Sequence, residues 1–188
     1  MSRTPVAYFE RLYAQGSDPW GMEQRWYEQR KYGLTIASLP RRRYRSAFEP
    51  ACSVGVLTAL LADRCDTLLA CDQLDAPLRR ARSRVAGIDH VRVQRASLPE
   101  EWPPGPFDLL VLSEMAYYFD ADDLAALIDA ATASLAPDAD VVAVHWRGET
   151  DYPLSGDETH RLLREVPGWR TVVRHEEPDF LLDVWTSP

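Results

Sequence analysis

The chain has 188 residues, 46% of them apolar, which is the length of one ordinary domain with enough apolar side chain to close a substantial core. Its formal charge of -8 argues against a principal task of holding polyanionic nucleic acid or an acidic membrane surface. Cys52, Cys65 and Cys71 have neither the density of a disulfide scaffold nor a Cys-x-x-Cys metal spacing, so reduced thiols and no metal site are expected. The opening MSRTPVAYFERLYAQ lacks the apolar centre of a secretory signal, and no run approaches the ~20 apolar residues of a membrane span; a soluble cytoplasmic protein is expected. Lys31 is the only lysine, and this arginine bias by itself carries no functional reading.

AYFERLYAQ (7 to 15) and, after the turn-like GSDPW, MEQRWYEQRKYGLTIASLP (22 to 40) read as two aromatic-rich helices that must pack on or over the rest of the domain. From residue 46 the pattern changes. Strand-like runs at 46 to 51, 67 to 72, 91 to 94, 107 to 113 and 139 to 146 alternate with helical spacing at 56 to 64, 76 to 86 and 122 to 136. That alternation predicts an α/β sheet whose central strands are parallel and covered on both faces. A helix around 156 to 166 precedes RTVVRH (170 to 175) and FLLDVW (180 to 185), which are separated only by EEPD. So short a link cannot make a parallel crossover, so the last two strands form an antiparallel hairpin. The division is a helical cap or lid over 1 to 40 and a core over 45 to 188, in a single domain.

In open α/β sheets ligands lie beyond the carboxyl ends of the strands, near the first strand. The first strand-to-helix turn is Glu49-Pro50-Ala51-Cys52-Ser53-Val54-Gly55, an acidic-x-Gly-x-Gly-x-Gly spacing in which Ala51 and Ser53 replace two glycines. Such a turn brings backbone N–H groups close to a ligand. Strand two closes on Asp72, 23 residues after Glu49, where nucleoside-binding sheets place an acid for the ribose hydroxyls, with Gln73 next to it. Strand three runs into Ala96, Ser97 and Leu98, where a purine ring lies against the sheet edge.

Together the acidic small-residue loop, Asp72, the A-S-L-P after strand three and the terminal hairpin resemble class I S-adenosylmethionine-dependent methyltransferases. DPW (18 to 20), WYEQRKY (26 to 32), LPRRRYRSAFEPACSVG (39 to 55), LTALLADRCD (57 to 66), SEMAYYF (113 to 119) and VAVHWRG (142 to 148) are similar to the nodulation protein S family, which N-methylates the free amine of a deacetylated chitooligosaccharide. The resemblance implies a Rossmann-like three-layer sandwich with a seven-stranded, mostly parallel sheet in the order 3-2-1-4-5-7-6, an antiparallel last strand and an N-terminal segment closing over S-adenosylmethionine. Two departures stand out. Ala51 occupies a usual glycine, and Arg95 replaces an Asp common before the alanine of the third-strand loop, leaving the purine to backbone groups and Ser97.

Methyl transfer from a sulfonium needs alignment of the nucleophile and, for an amine, removal of its proton; it needs no metal. Glu114, after strand four, and His145, at the end of strand five, are the candidate proton acceptors, against the alternatives that Glu114 only caps a helix and that His145 only satisfies a backbone group near Trp146; Tyr117 and Tyr118 are wall or substrate contacts. Trp20, Tyr27 and Arg30 are lid candidates, Arg30 for the methionine carboxylate. The candidate cofactor set is completed by Glu49, Ala51, Ser53, Gly55, Asp72, Gln73, Ala96, Ser97, Leu98 and Ser113. Arg41, Arg42, Arg43 and Arg45 read as a solvated basic face, with a patch for an acidic or phosphorylated substrate as the alternative. The resulting expectation is N-methylation of an amino sugar or similar amine by a monomer or homodimer, using S-adenosylmethionine and yielding S-adenosylhomocysteine, with no nucleic acid or membrane partner. A small-molecule O-methyltransferase, a nicotinamide-dependent oxidoreductase and a non-catalytic nucleoside-binding module are the alternatives. The absence of an Asn/Asp-Pro-Pro-aromatic run after strand four, where SEMAYY stands, disfavours a nucleic-acid methyltransferase.

Overall fold

The computed structural model describes residues 3–188. Helices α1 (Val6–Gln15) and α2 (Trp26–Ser38) precede the alternating elements β1 (Tyr44–Glu49), α3 (Val56–Ala62), β2 (Cys65–Asp72), α4 (Asp75–Arg84) and β3 (Val91–Arg95). The second half runs β4 (Phe107–Ser113), a single 3-10 turn (Ala116–Tyr118), α5 (Ala121–Ala133), β5 (Leu135–Trp146), α6 (Gly156–Arg164), β6 (Arg170–Glu176) and β7 (Phe180–Thr186). The sheet order is β3-β2-β1-β4-β5-β7-β6. Strand β7 runs antiparallel to both of its neighbours, so the terminal hairpin is inserted with its second strand innermost.

Burial explains the difference between strands. In β4 every residue from Phe107 to Leu112 is buried, because helices cover both faces, whereas the edge strand β3 alternates between half-buried and exposed. Two apolar layers flank the sheet. One carries Phe48, Leu110, Leu112, Leu127 and Trp185; the other carries Tyr32, Leu57, Leu68, Val142 and Phe180. Of the two N-terminal helices, α2 sends Tyr32 into the second layer, while Phe9 of α1 meets Tyr118 edge-on.

Several boundaries move from the sequence expectation for local reasons. Strand β1 starts at Tyr44, whose N–H donates to the Arg64 carbonyl, and stops at Glu49 because Ala51 turns to φ 54. Helix α2 starts at Trp26 rather than Met22, since the Asp18 carboxylate accepts from the N–H groups of Met22 and Glu23 and makes a separate turn there. Helix α5 is capped by the Asp120 side chain and α6 by a reciprocal Ser155–Glu158 capping box. The arginine run is exposed at Arg42, Arg43 and Arg45, as a solvated face is, and three of its members also meet carboxylates: Arg41 meets Asp140, Arg43 meets Asp66 and Arg45 meets Asp108, all at the strand-start edge of the sheet. The three cysteines are unpaired and buried. Among the described residues no helix is long and apolar enough to cross a membrane.

Candidate active site

The carboxyl ends of β1, β2 and β4 open into a cleft of about 580 Å³, roofed by the N-terminal segment. Trp20, Tyr27, Glu49, Ala51, Ser53, Asp72, Gln73, Ala96, Ser97, Leu98, Ser113, Glu114, Tyr117 and Tyr118 all line it. The residues expected on both sides of a methyl transfer thus share one cavity.

At the β1 end the loop is built on left-handed backbone. Ala51, Ser53 and Gly55 have φ of 54, 50 and 76, so the small-residue spacing reports a real demand of the chain. Gly55 lies outside the cleft wall and is needed for packing: a Cβ there would stand 2.9 Å from the Ala81 Cα of α4. Cys52 N–H donates to the Cys71 carbonyl at 2.8 Å, tying the loop to β2. The Asp72 carboxylate accepts from Ser53 N–H at 3.1 Å and Leu74 N–H at 3.0 Å. Burial pushes its pKa up to about 6 against the pull of those donors. Glu49 is 2% exposed, its Oε2 has no hydrogen-bond partner, and burial pushes its carboxyl up to about 8. Ser97 N–H is engaged by the Glu101 carboxylate at 2.6 Å, and Arg95 turns away to the Gln73 carbonyl.

The other end centres on Glu114, itself at φ 51. Its Oε2 accepts from the Tyr117 hydroxyl at 2.6 Å and from Trp146 N–H at 2.9 Å. Its Oε1 accepts from Lys31 Nζ at 2.5 Å. Lys31 is 1% exposed, pairs also with Glu28 Oε2 at 2.9 Å, and stands 4.8 Å from the Tyr27 ring centroid. Burial lowers the basicity of this ammonium, but Glu114 and Glu28 outweigh burial and raise its pKa overall. Sequence reasoning missed Lys31. Its i, i+3 spacing from Glu28 was visible, but its contact with Glu114 crosses 83 positions. Tyr152, also missed, closes an aromatic wall with Tyr117 and Tyr118 at centroid distances of 5.1 and 4.6 Å. Tyr13 was missed too; its hydroxyl lies 2.5 Å from Ser53 Oγ and its ring meets Trp20 edge-on.

Besides Gly55, which packs against α4 instead of lining the cleft, two sequence assignments need correction. Arg30 does not face the cleft: its guanidinium forms a two-pronged pair with Glu177 at 2.5 and 2.7 Å, directed to the β6–β7 loop. Helical geometry put it near Tyr27, but the carboxylate beyond the helix took the fork. His145 is fully buried outside the cleft, with Nε2 accepting from Ala116 N–H at 3.1 Å. Alternation along β5 turns its side chain behind the site. Among the described residues no group of three or more His, Cys, Asp or Glu side chains gathers as a metal site.

Strand order, the acids closing β1 and β2, and the cleft above them define the class I S-adenosylmethionine-dependent methyltransferase fold. The family model of nodulation protein S (NodS) matches residues 9–150, and the chain belongs to that family. A crystal structure from Pseudomonas syringae, provisionally described as a methyltransferase, is 49% identical with TM-score 0.78, covering 86% of this chain and 99% of that one. The N-methyltransferase NodS from Bradyrhizobium japonicum WM9, in complex with S-adenosyl-L-homocysteine, is 23% identical with TM-score 0.86 and 97% coverage of both chains. Nodulation protein S of Sinorhizobium fredii (strain NBRC 101917 / NGR234) is 29% identical over 111 residues, 58% of this chain and 50% of that protein. The match therefore spans about half the length of this curated relative.

Proposed function

We propose that this protein N-methylates a small amine, an amino sugar or a compound of like chemistry, with S-adenosylmethionine as donor. The observation that carries the reading is Glu114: a carboxylate held from three sides by Lys31, Tyr117 and the Trp146 amide, in the same cleft as Glu49 and Asp72. The family relationship and the complex of the Bradyrhizobium neighbour with S-adenosyl-L-homocysteine support the choice of donor.

The residues present fit that donor. Asp72 offers a carboxylate to ribose hydroxyls, and Ala96 and Leu98 give apolar surface to a purine. The partnerless Oε2 of buried Glu49 is an acceptor waiting for a cationic donor such as an amino group. Arg25 lines the cleft where Arg30 does not, and is the guanidinium proposed for the carboxylate of the methionine moiety. Trp20 and Tyr27 would exclude water from above. S-adenosylmethionine supplies an electrophilic methyl group on a sulfonium. Glu114 attracts the acceptor amine and stabilises the positive charge that grows on its nitrogen, while Tyr117 and Trp146 N–H hold its carboxylate in one orientation. Tyr118 and Tyr152 present ring faces and edges suited to a sugar. Three buried unpaired thiols suit a reducing, cytoplasmic setting.

Calorimetric titration with S-adenosylhomocysteine beside NAD tests the reading, since the product cannot turn over. Binding of S-adenosylhomocysteine alone is expected, followed by methyl transfer in a screen of amino sugars. Binding of NAD alone would move the protein to the oxidoreductases, and transfer only to hydroxyl acceptors would replace the amine with an alcohol.

A further inference from the structure

A line of buried polar side chains behind β5 takes no part in the proposed reaction. His145, His160 and Asp183 are each fully buried. Ala116 N–H can only donate, and it lies 3.1 Å from His145 Nε2, so that nitrogen is bare. In a neutral ring the proton is then on Nδ1, which is 3.1 Å from His160 Nε2. His160 Nε2 must accept, which puts the proton of that ring on Nδ1, 2.7 Å from Asp183 Oδ2. Arg164 Nε donates to the same carboxylate oxygen at 2.7 Å. An amide that can only give and a carboxylate that accepts thus impose one proton direction on both rings. Burial, then His160 and Lys31, hold the His145 pKa well below its usual value, in keeping with a neutral ring.

We propose that His145, His160 and Asp183 form a tautomer lock that presents an unprotonated Nε2 to Ala116 N–H and so fixes the turn carrying Glu114 and Tyr117. The buried Ala116 amide opens the 3-10 turn two residues after Glu114. Glu114 needs help to stay at φ 51, a backbone state costly for a side chain of its size. With the opposite tautomer two N–H groups would face each other, and the turn would have to withdraw. His160 and Asp183 are therefore positioning residues that act through His145, without touching the cleft. The methyl-transfer reading enters only in calling Glu114 the acceptor-side carboxylate.

The test is spectroscopic. His90→Gln and His175→Gln remove the two other histidines of the chain. Multiple-bond imidazole ¹H–¹⁵N spectra of that double variant should contain two rings, both protonated on Nδ1 and bare on Nε2. An Nε2–H tautomer or an imidazolium at His145 would overturn the proposal. Next, His160→Leu should speed exchange of the Ala116 amide about tenfold or more, and His160→Gln, whose carbonyl can accept from His145 Nδ1, should restore protection. Exchange at Ala116 unchanged in a folded His160→Leu protein would also overturn it. If that variant does not fold, the tautomer spectrum still decides. Failure to bind S-adenosylhomocysteine would remove the methyltransferase reading and leave both spectroscopic results standing.

Discussion

At Ala51 and Ser53 the chain adopts left-handed backbone without glycine, at φ 54 and 50. That conformation costs an L-residue roughly 1–2 kcal/mol, part of which glycine returns through its freer unfolded chain. Ala51→Gly should therefore raise stability by about 1 kcal/mol, or about 2–4 °C in Tm for a chain of this size, by thermal denaturation. Ser53→Gly should gain less, because it also deletes the hydroxyl paired with Tyr13. Glu49 makes a second prediction, about pH. Its folded pKa of about 8 lies above that of an unfolded carboxylate, so the native state binds the extra proton. Its contribution is present at low pH and is lost as pH rises through about 8. In ligand-free protein, stability should fall between about pH 6.5 and 8 by an amount that Glu49→Gln removes, measured as Tm across that window. The raised pKa of Asp72, about 6, has the same sign but acts mainly below this window.

At the scale of elements the question is how α2 is held over the sheet. Two of its ties are Lys31 to Glu114, buried beneath the cleft, and Arg30 to Glu177 at the surface, and they should behave differently. Lys31 is buried, and its removal leaves Glu28 and Glu114 facing each other without a cation. Lys31→Met should cost about 3–5 kcal/mol in urea denaturation and open α2 to limited proteolysis. The exposed Arg30 pair is screened by water. Arg30→Ala should leave the S-adenosylhomocysteine dissociation constant within about twofold of wild type, whereas Arg25→Ala should raise it about tenfold or more by titration calorimetry. Equal losses in both variants would restore Arg30 to the site.

For the whole molecule, ligand binding should be visible as stability. S-adenosylhomocysteine at about 100 times its dissociation constant should add about 2.7 kcal/mol, read as a Tm rise that NAD does not produce. The order of elements and the terminal hairpin were legible in the sequence because hydrophobic period and link length are local properties. The first loop was legible for the same reason: its left-handed backbone at 51, 53 and 55 favours glycine, and the spacing that marks it lies within seven consecutive residues. Tyr13, Lys31 and Tyr152 were not legible, because their partners Ser53, Glu114 and Tyr117 are reached only when the lid and the 147–155 segment fold back over the strand ends. Arg30 was misread at its side chain although its helix was foreseen, and of the two readings of His145 the backbone-satisfying one holds instead of the proton acceptor. Periodicity places a residue on a helix or strand; which neighbouring carboxylate or amide captures its polar atoms is decided by groups distant in sequence. The sequence by itself determined the α/β alternation, the acid-closed strands and the family motifs. Only the tertiary structure decided that Glu114 is shared among three donors and that His145 serves Ala116, because desolvation makes a buried polar atom take whatever partner the packed fold brings within reach.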